Sequence, residues 1–250
     1  MFTATDYDKL QQIMKESPEK KELLTRLLES HKTEISTISH EIRNPLTLIY
    51  STLQMIESQH REVRNFRHWK SMRQDIEYMT QLLEELSTYN NGESLHLSAV
   101  DTVPFLETLV LSFAASILDT NIEFTSRIKP DIPSVTMDPI KIRQLLLNLL
   151  GNAKDALLAC PDLEYPAIGL HTECTDRTVR FLIMDNGSGI RAEDIGSIFD
   201  PFVTHKVNGT GLGLAIARRI INAHNGSLNV ESTLGKGSVF TVILPIQQDT

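Results

Sequence analysis

The chain has 250 residues, 41% apolar and 22% charged, enough apolar material to build one large domain or two small ones and too ordinary a charge density for a disordered chain. Its 24 basic against 32 acidic side chains leave a net charge of −8, which excludes a general nucleic-acid binder, because such a protein needs basic surface to displace phosphate counterions. Cys160 and Cys174 have neither CxxC nor Cys/His spacing, which excludes a disulfide framework or a structural zinc and predicts two buried, reduced thiols.

The first twelve residues lack the apolar stretch of a signal peptide. Ser17-Pro18 then reads as an N-cap followed by proline at the first helical position. Bulky positions recur at Leu24, Leu28, His31, Ile35, Ile38, Ile42, Pro45 and Ile49, with Leu53 and Ile56 one step displaced. Steps of mostly four and three predict a heptad helix. A polar turn around residues 58–67 separates it from a second such run, Trp69, Met72, Ile76, Met79, Leu83 and Leu86. One hairpin leaves its apolar stripe uncovered, and pairing two hairpins into a four-helix bundle buries it. A homodimer is therefore expected.

Asn90-Asn91-Gly92-Glu93-Ser94 reads as a loop, and the pattern changes after it. A helix is predicted over 101–118, a strand over 121–128 and a short strand over 133–137. Asp138-Pro139 caps a long helix running to about Cys160. Paired strands follow at 167–173 and 178–184, then a glycine-rich loop to Gly209, a helix over 210–224, and closing strands at 227–231 and 238–244. This is an α/β sandwich, a mixed sheet with helices on one face. The most apolar runs, 109–118 and 145–150, are far short of the roughly 20 residues of a bilayer span, so a cytoplasmic protein with no membrane segment is expected.

The first candidate chemistry lies in Ser39-His40-Glu41-Ile42-Arg43-Asn44-Pro45-Leu46. His40 is two residues from both Ile38 and Ile42, so at about 100° per residue it points away from the seam, with Asn44 on its face and Glu41 beside it. An exposed imidazole next to a carboxylate suits a nucleophile whose ring proton the acid can take. Pro45 removes a helical hydrogen bond and invites a bend just beyond it. The string resembles the phosphoacceptor box of sensor histidine kinases.

The second half contains neither GxxxxGK[ST] nor GxGxxG. It does carry three other elements in order. On the long helix, Asn148, Asn152 and Asp155 share one face, where amide oxygens can ligate Mg²⁺ beside a triphosphate. Asp185-Asn186-Gly187-Ser188-Gly189 follows a strand, where the carboxylate can accept from an adenine amine and the glycines let backbone approach the base. Gly209-Thr210-Gly211-Leu212-Gly213 opens a helix, offering N–H groups and a positive dipole end to phosphate. Between them, Phe199 can anchor a lid and Lys206 can reach a phosphate.

The ordered set resembles the nucleotide boxes of the GHKL (Bergerat) ATP-binding fold shared by histidine kinases, DNA gyrase, the Hsp90 chaperone and MutL. It extends to Gly235-Lys236-Gly237-Ser238, similar to the last glycine box, and is closest to the nitrogen-regulator and sporulation branch. The resemblance implies a helical arm at 1–30, a dimerisation and histidine phosphotransfer domain at 31–95, and a catalytic ATP-binding domain at 96–250. It implies Mg²⁺–ATP as the phosphoryl source, transfer through His40 to an aspartate of a response regulator receiver domain, and a phosphatase activity involving Asn44. A sensory or inhibitory partner on the bundle is also expected. Asn148 stands where related ATPases carry a water-activating Glu, and Asp155 where many histidine kinases carry a basic residue, which puts more weight on Lys206. The alternative is a catalytically silent ATP-binding dimer that sequesters a regulator. Of the other histidines, His31 reads as a seam residue, His60, His68, His96, His171 and His224 as surface, and His205 as lid-borne.

Overall fold

The structure is a computed structural model that describes residues 18–91, 95–206 and 209–247, so the expected Ser17 cap and the side chains of Leu24, Leu28 and His31 lie outside the described residues. Two compact units make up the chain, residues 1–91 and 92–250.

The first unit is a helical hairpin. Helix α1 (Pro18–Gln59) runs 42 residues through Pro45, a 3₁₀ turn spans Arg61–Asn65, and α2 (Trp69–Asn91) returns. Every seventh position packs inward: Ser39, Leu46 and Leu53 on α1, and Ile76, Leu83 and Asn90 on α2. The single seam expected from the sequence is thus two rows. Ile38, Ile42 and Ile49 remain 54%, 45% and 46% exposed, and Met72 and Met79 40% and 50%. The hairpin meets its own second helix with a row displaced by one residue from the aliphatic one on α1, roughly 100° around the helix, so the richer aliphatic row is left outside. The polar stretch after α1 is also more ordered than a plain turn. Val63 is buried in it, and Glu57 accepts from Arg64 (2.7 Å) and Arg73 (3.2 Å), which ties the turn to both helices.

The second unit is built on a five-stranded sheet. In chain order it contains β1 (Ser98–Val100), α3 (Thr102–Ala115), β2 (Glu123–Arg127), β3 (Val135–Met137), α4 (Pro139–Leu158), β4 (Ala167–Cys174), β5 (Thr178–Asp185), α5 (Gly213–Ala223), β6 (Ser227–Thr233) and β7 (Gly237–Pro245). The sheet order is β2-β4-β5-β7-β6, with β2 parallel to β4 and the remaining pairs antiparallel. A separate antiparallel pair joins β1 to β3; β1, at three residues, is too short for alternation to show in the sequence. Alternate residues face the core, Ile168 and Leu170 on β4, Val179, Phe181 and Ile183 on β5, Phe240, Val242 and Leu244 on β7. Helices α4 and α5 pack on the sheet. Helix α3 packs on α4 and reaches β2 through an edge-to-face contact of Phe113 with Phe124 at 5.0 Å.

Asp138 caps α4 as its position before Pro139 demands. Its Oδ1 accepts from the N–H groups of Ile140 (3.0 Å) and Lys141 (3.1 Å), and its Oδ2 from that of His96 (2.9 Å). Burial opposes its ionisation, but those three N–H groups together hold the carboxyl below its ordinary value. The backbone N–H of Asp138 donates to His224 Nε2 at 3.0 Å, and His224 Nδ1 donates to the Ile220 carbonyl at 2.7 Å. His224 is therefore no surface residue: it is fully buried, tying the C-terminal end of α5 to the N-terminal end of α4. One imidazole that accepts at one helix end and donates at the other has a reason to be inside. Burial pushes its pKa down. The cysteines differ from expectation in the other direction. Cys160, just past α4, and Cys174, at the end of β4, are free but only half-buried.

Candidate active site

In the first unit, His40, Glu41 and Asn44 are all exposed on α1. The neighbouring Ser39 is buried and donates to the Ile35 carbonyl at 2.7 Å, so the hairpin's inner row fixes the outward aim of His40. Pro45 has no N–H for the carbonyl of Glu41, which leaves the backbone beside the histidine without its helical partner. Arg43, which sequence reasoning passed over, is half-buried and directs Nη2 at the Leu83 carbonyl of α2. Further along the His40 side, Leu48 and Met55 are 69% and 60% exposed.

In the second unit, the nucleotide elements converge around one end of α4. Asn148 donates through Nδ2 to the Gly213 carbonyl at 3.2 Å, joining α4 to the start of α5. One turn on, Asn152 Oδ1 and Asp155 Oδ2 each lie 2.7 Å from Lys206 Nζ. Asp185, at the end of β5, accepts at Oδ1 from the Gly187 N–H (2.9 Å) and also accepts from the Ser238 N–H. Burial raises its pKa against the pull of those bonds.

Backbone conformation accounts for the glycines at two places. Gly189 has φ +65°, and a Cβ there would collide with the Thr233 carbonyl oxygen. Gly211 has φ +69° and abuts the backbone of Phe202, whose N–H donates to the Gly211 carbonyl at 2.9 Å. Gly187 lies against the backbone of Ala156 on α4, and Gly209 against Thr204. Helix α5 begins at Gly213 and not at Thr210, so Gly209–Leu212 form a loop leading into the helix. The Leu212 side chain is fully buried, leaving its backbone as the part able to meet a ligand. The Thr210 hydroxyl accepts from the Leu212 N–H at 3.3 Å. Phe199 is half-buried under the Arg218 guanidinium, 5.4 Å from its ring centroid. His205 Nε2 lies 3.3 Å from Asp194, which also accepts from Arg191 Nε at 2.7 Å.

The donor set suits a hard cation. Asn152 and Asp155 offer oxygens that already hold an ammonium, and among the described residues no cluster of three or more His, Cys, Asp or Glu side chains makes a self-sufficient metal cage.

Residues 30–95 match the His Kinase A (phospho-acceptor) domain family, and residues 137–248 the family of histidine kinase-, DNA gyrase B- and HSP90-like ATPases. The chain belongs to the histidine kinase family. It is 33% identical to the signal transduction histidine-protein kinase AtoS of Escherichia coli K12, over 84% of this chain and 34% of that protein. Among solved structures, full-length ShkA in complex with AMPPNP is similar at 25% identity, a TM-score of 0.73, 87% of this chain and 46% of that one. The catalytic domain of the histidine kinase ThkA is 30% identical with a TM-score of 0.53, covering 60% of this chain and 98% of that one. Across the curated relatives AtoS, ZraS and sporulation kinase C, the chain spans a third to a half of their length.

Ser238, Ala156 and Thr233 were missed as parts of the site. They act through backbone atoms, which no side-chain pattern discloses, although the Gly235–Ser238 box marks where Ser238 enters.

Proposed function

We propose that the chain takes the γ-phosphoryl group of ATP onto His40 and passes it to an aspartate of a response regulator receiver domain. One combination carries the reading: an exposed His40–Glu41 pair on a helical hairpin, in the same chain as a half-buried carboxylate set among glycine-bearing loops. Asp185 accepts from the adenine amine, and the loops around Gly187, Gly189 and Gly209–Gly213 bring backbone N–H groups to base and phosphates. Asn152 holds Mg²⁺, with Asn148 beside it; the metal supplies charge neutralisation at the phosphates. Lys206 faces the phosphates, and Phe199 anchors the segment that covers them. His40 attacks in line while Glu41 takes or orients its ring proton, so one N–P bond forms as the bond to the leaving ADP oxygen breaks. Positioning and charge neutralisation supply most of the rate.

The exposed rows of the hairpin support two partners. Ile38, Ile42, Ile49, Met72 and Met79 form the stripe that a second copy covers in a four-helix bundle. Leu48 and Met55, on the His40 side, offer apolar footing for a receiver domain, and ThkA is known in a complex with the response regulator protein TrrA. Asn44, exposed on the same side, orients water for dephosphorylating the regulator in this reading. Residues 31–95 then serve dimerisation and phosphotransfer, and 96–250 nucleotide binding. Labelling the chain with γ-³²P-ATP and chasing it into a panel of receiver domains tests the pairing. Label leaving the kinase for at least one receiver is expected; label staying on the kinase across a broad panel contradicts the transfer step.

A further inference from the structure

We propose that Asp155 is a positioning residue for Lys206, delivering the lid ammonium to the face of Asn152 where the nucleotide phosphates bind. This deepens the nucleotide reading above and rests on it. Lys206 comes from the loop after Phe199, yet its Nζ reaches across to α4 and lies 2.7 Å from both Asn152 Oδ1 and Asp155 Oδ2. Its backbone is pinned on both sides, its N–H donating to Thr204 Oγ1 at 3.1 Å and its carbonyl accepting from the Gly209 N–H at 3.2 Å.

Other basic side chains near these elements are engaged elsewhere. Lys154, adjacent on α4, donates to the Ser116 carbonyl at 2.8 Å. Arg218 covers Phe199, and Arg191 pairs with Glu193 and Asp194. Lys206 is the one of these cations that is aimed at the polar face of α4. With side chains 43% and 52% exposed, the Lys206–Asp155 pair contributes little to stability, so its consequence is one of position.

The two oxygens have different duties. Asn152 Oδ1 is the proposed metal ligand, and an ammonium on the same oxygen repels a divalent cation there. Lys206 must therefore leave Asn152 as Mg²⁺–nucleotide enters. Asp155 keeps hold of it, so that Nζ turns toward the nearest phosphate oxygen without swinging into solvent. With metal chelated, Lys206 stays on Asn152 and neutralises phosphate by itself.

Calorimetry of AMPPNP binding to the full chain tests this, in Mg²⁺ and in EDTA, for wild type, Lys206→Gln, Asp155→Asn and the double variant. Lys206→Gln should bind about tenfold more weakly, the scale of one charge-assisted hydrogen bond, with the larger loss in EDTA. Asp155→Asn should weaken binding severalfold in spite of removing a negative charge from the phosphate side. The double variant should be no weaker than Lys206→Gln alone, because the two residues act as one unit. Unchanged or tighter binding by Asp155→Asn, or losses that multiply, overturns the proposal while leaving the nucleotide reading intact. A wild-type chain that does not bind AMPPNP overturns both.

Discussion

Replacing His224 by leucine isolates what its buried imidazole contributes. The volumes are similar, so the change creates little cavity, but it strips the acceptor from the Asp138 N–H and one of two donors from the Ile220 carbonyl. Both His224 and Asp138 are buried, at 0% and 3% exposure, so water does not readily replace the lost partners. The Ile220 carbonyl keeps the backbone N–H of residue 224 (3.2 Å), so the orphaned group is the Asp138 N–H, at a cost of about 1–3 kcal/mol. The protonation argument is independent. Burial lowers the folded-state pKa of His224, Ile220 and Asp138 pulling weakly the other way, while the unfolded chain titrates near 6.5. A depressed histidine binds fewer protons folded than unfolded, so its contribution is complete above pH 6.5 and is lost as pH falls below it. Hydrogen exchange in the full chain reads this locally at the first turn of α4 and the last turn of α5. Fluorescence does not, since the single tryptophan, Trp69, lies in the hairpin. Wild type should lose protection there below pH 6.5; the leucine variant should start lower and lack that part of the slope. Equal protection in the two proteins at pH 7, or the same slope below 6.5, refutes the bridge.

Asp185→Asn should weaken ATP binding by about 1–3 kcal/mol, the scale of a charged hydrogen bond. The same change should raise the melting temperature measured without nucleotide, because a carboxyl whose folded pKa is raised by burial costs stability once ionised, above its unfolded value near 3.8. Unchanged affinity by calorimetry would remove Asp185 from the site. In the hairpin, Ile42→Asp with Met79→Asp should convert a dimer to a monomer that still binds ATP, because both side chains lie on the outer row and the second unit has its own core. Sedimentation showing the wild type already monomeric at micromolar concentration contradicts the bundle.

Sequence periodicity made the helices legible because packing acts on it directly. The heptads of α1 and α2, the Asp138-Pro139 cap and the alternation of β4, β5 and β7 all appear where side-chain chemistry dictates them. What periodicity could not separate was two neighbouring rows of one helix. Ile76 and Leu83 face inward and Met72 and Met79 outward, a choice set by which row the antiparallel partner meets. His224 was misread for a related reason: a polar residue at a helix end looks like surface until the chain brings Asp138, 86 positions away, against it. The motifs of the candidate site were legible, and the polar face predicted for α4 is where Asn152 and Asp155 together meet Lys206. The partner of Asp155 was not legible, because Lys206 reaches it across 51 positions of chain from a separate loop.

Mapping the phosphorylated residue tests the central claim most directly. Incubated with γ-³²P-ATP and Mg²⁺, the wild-type chain should acquire acid-labile, base-stable label on the peptide containing His40. His40→Gln should acquire none while binding ATP as before, since no residue of the nucleotide pocket changes. Label persisting on the variant, or a wild-type chain that binds ATP and remains unlabelled, would contradict the assignment.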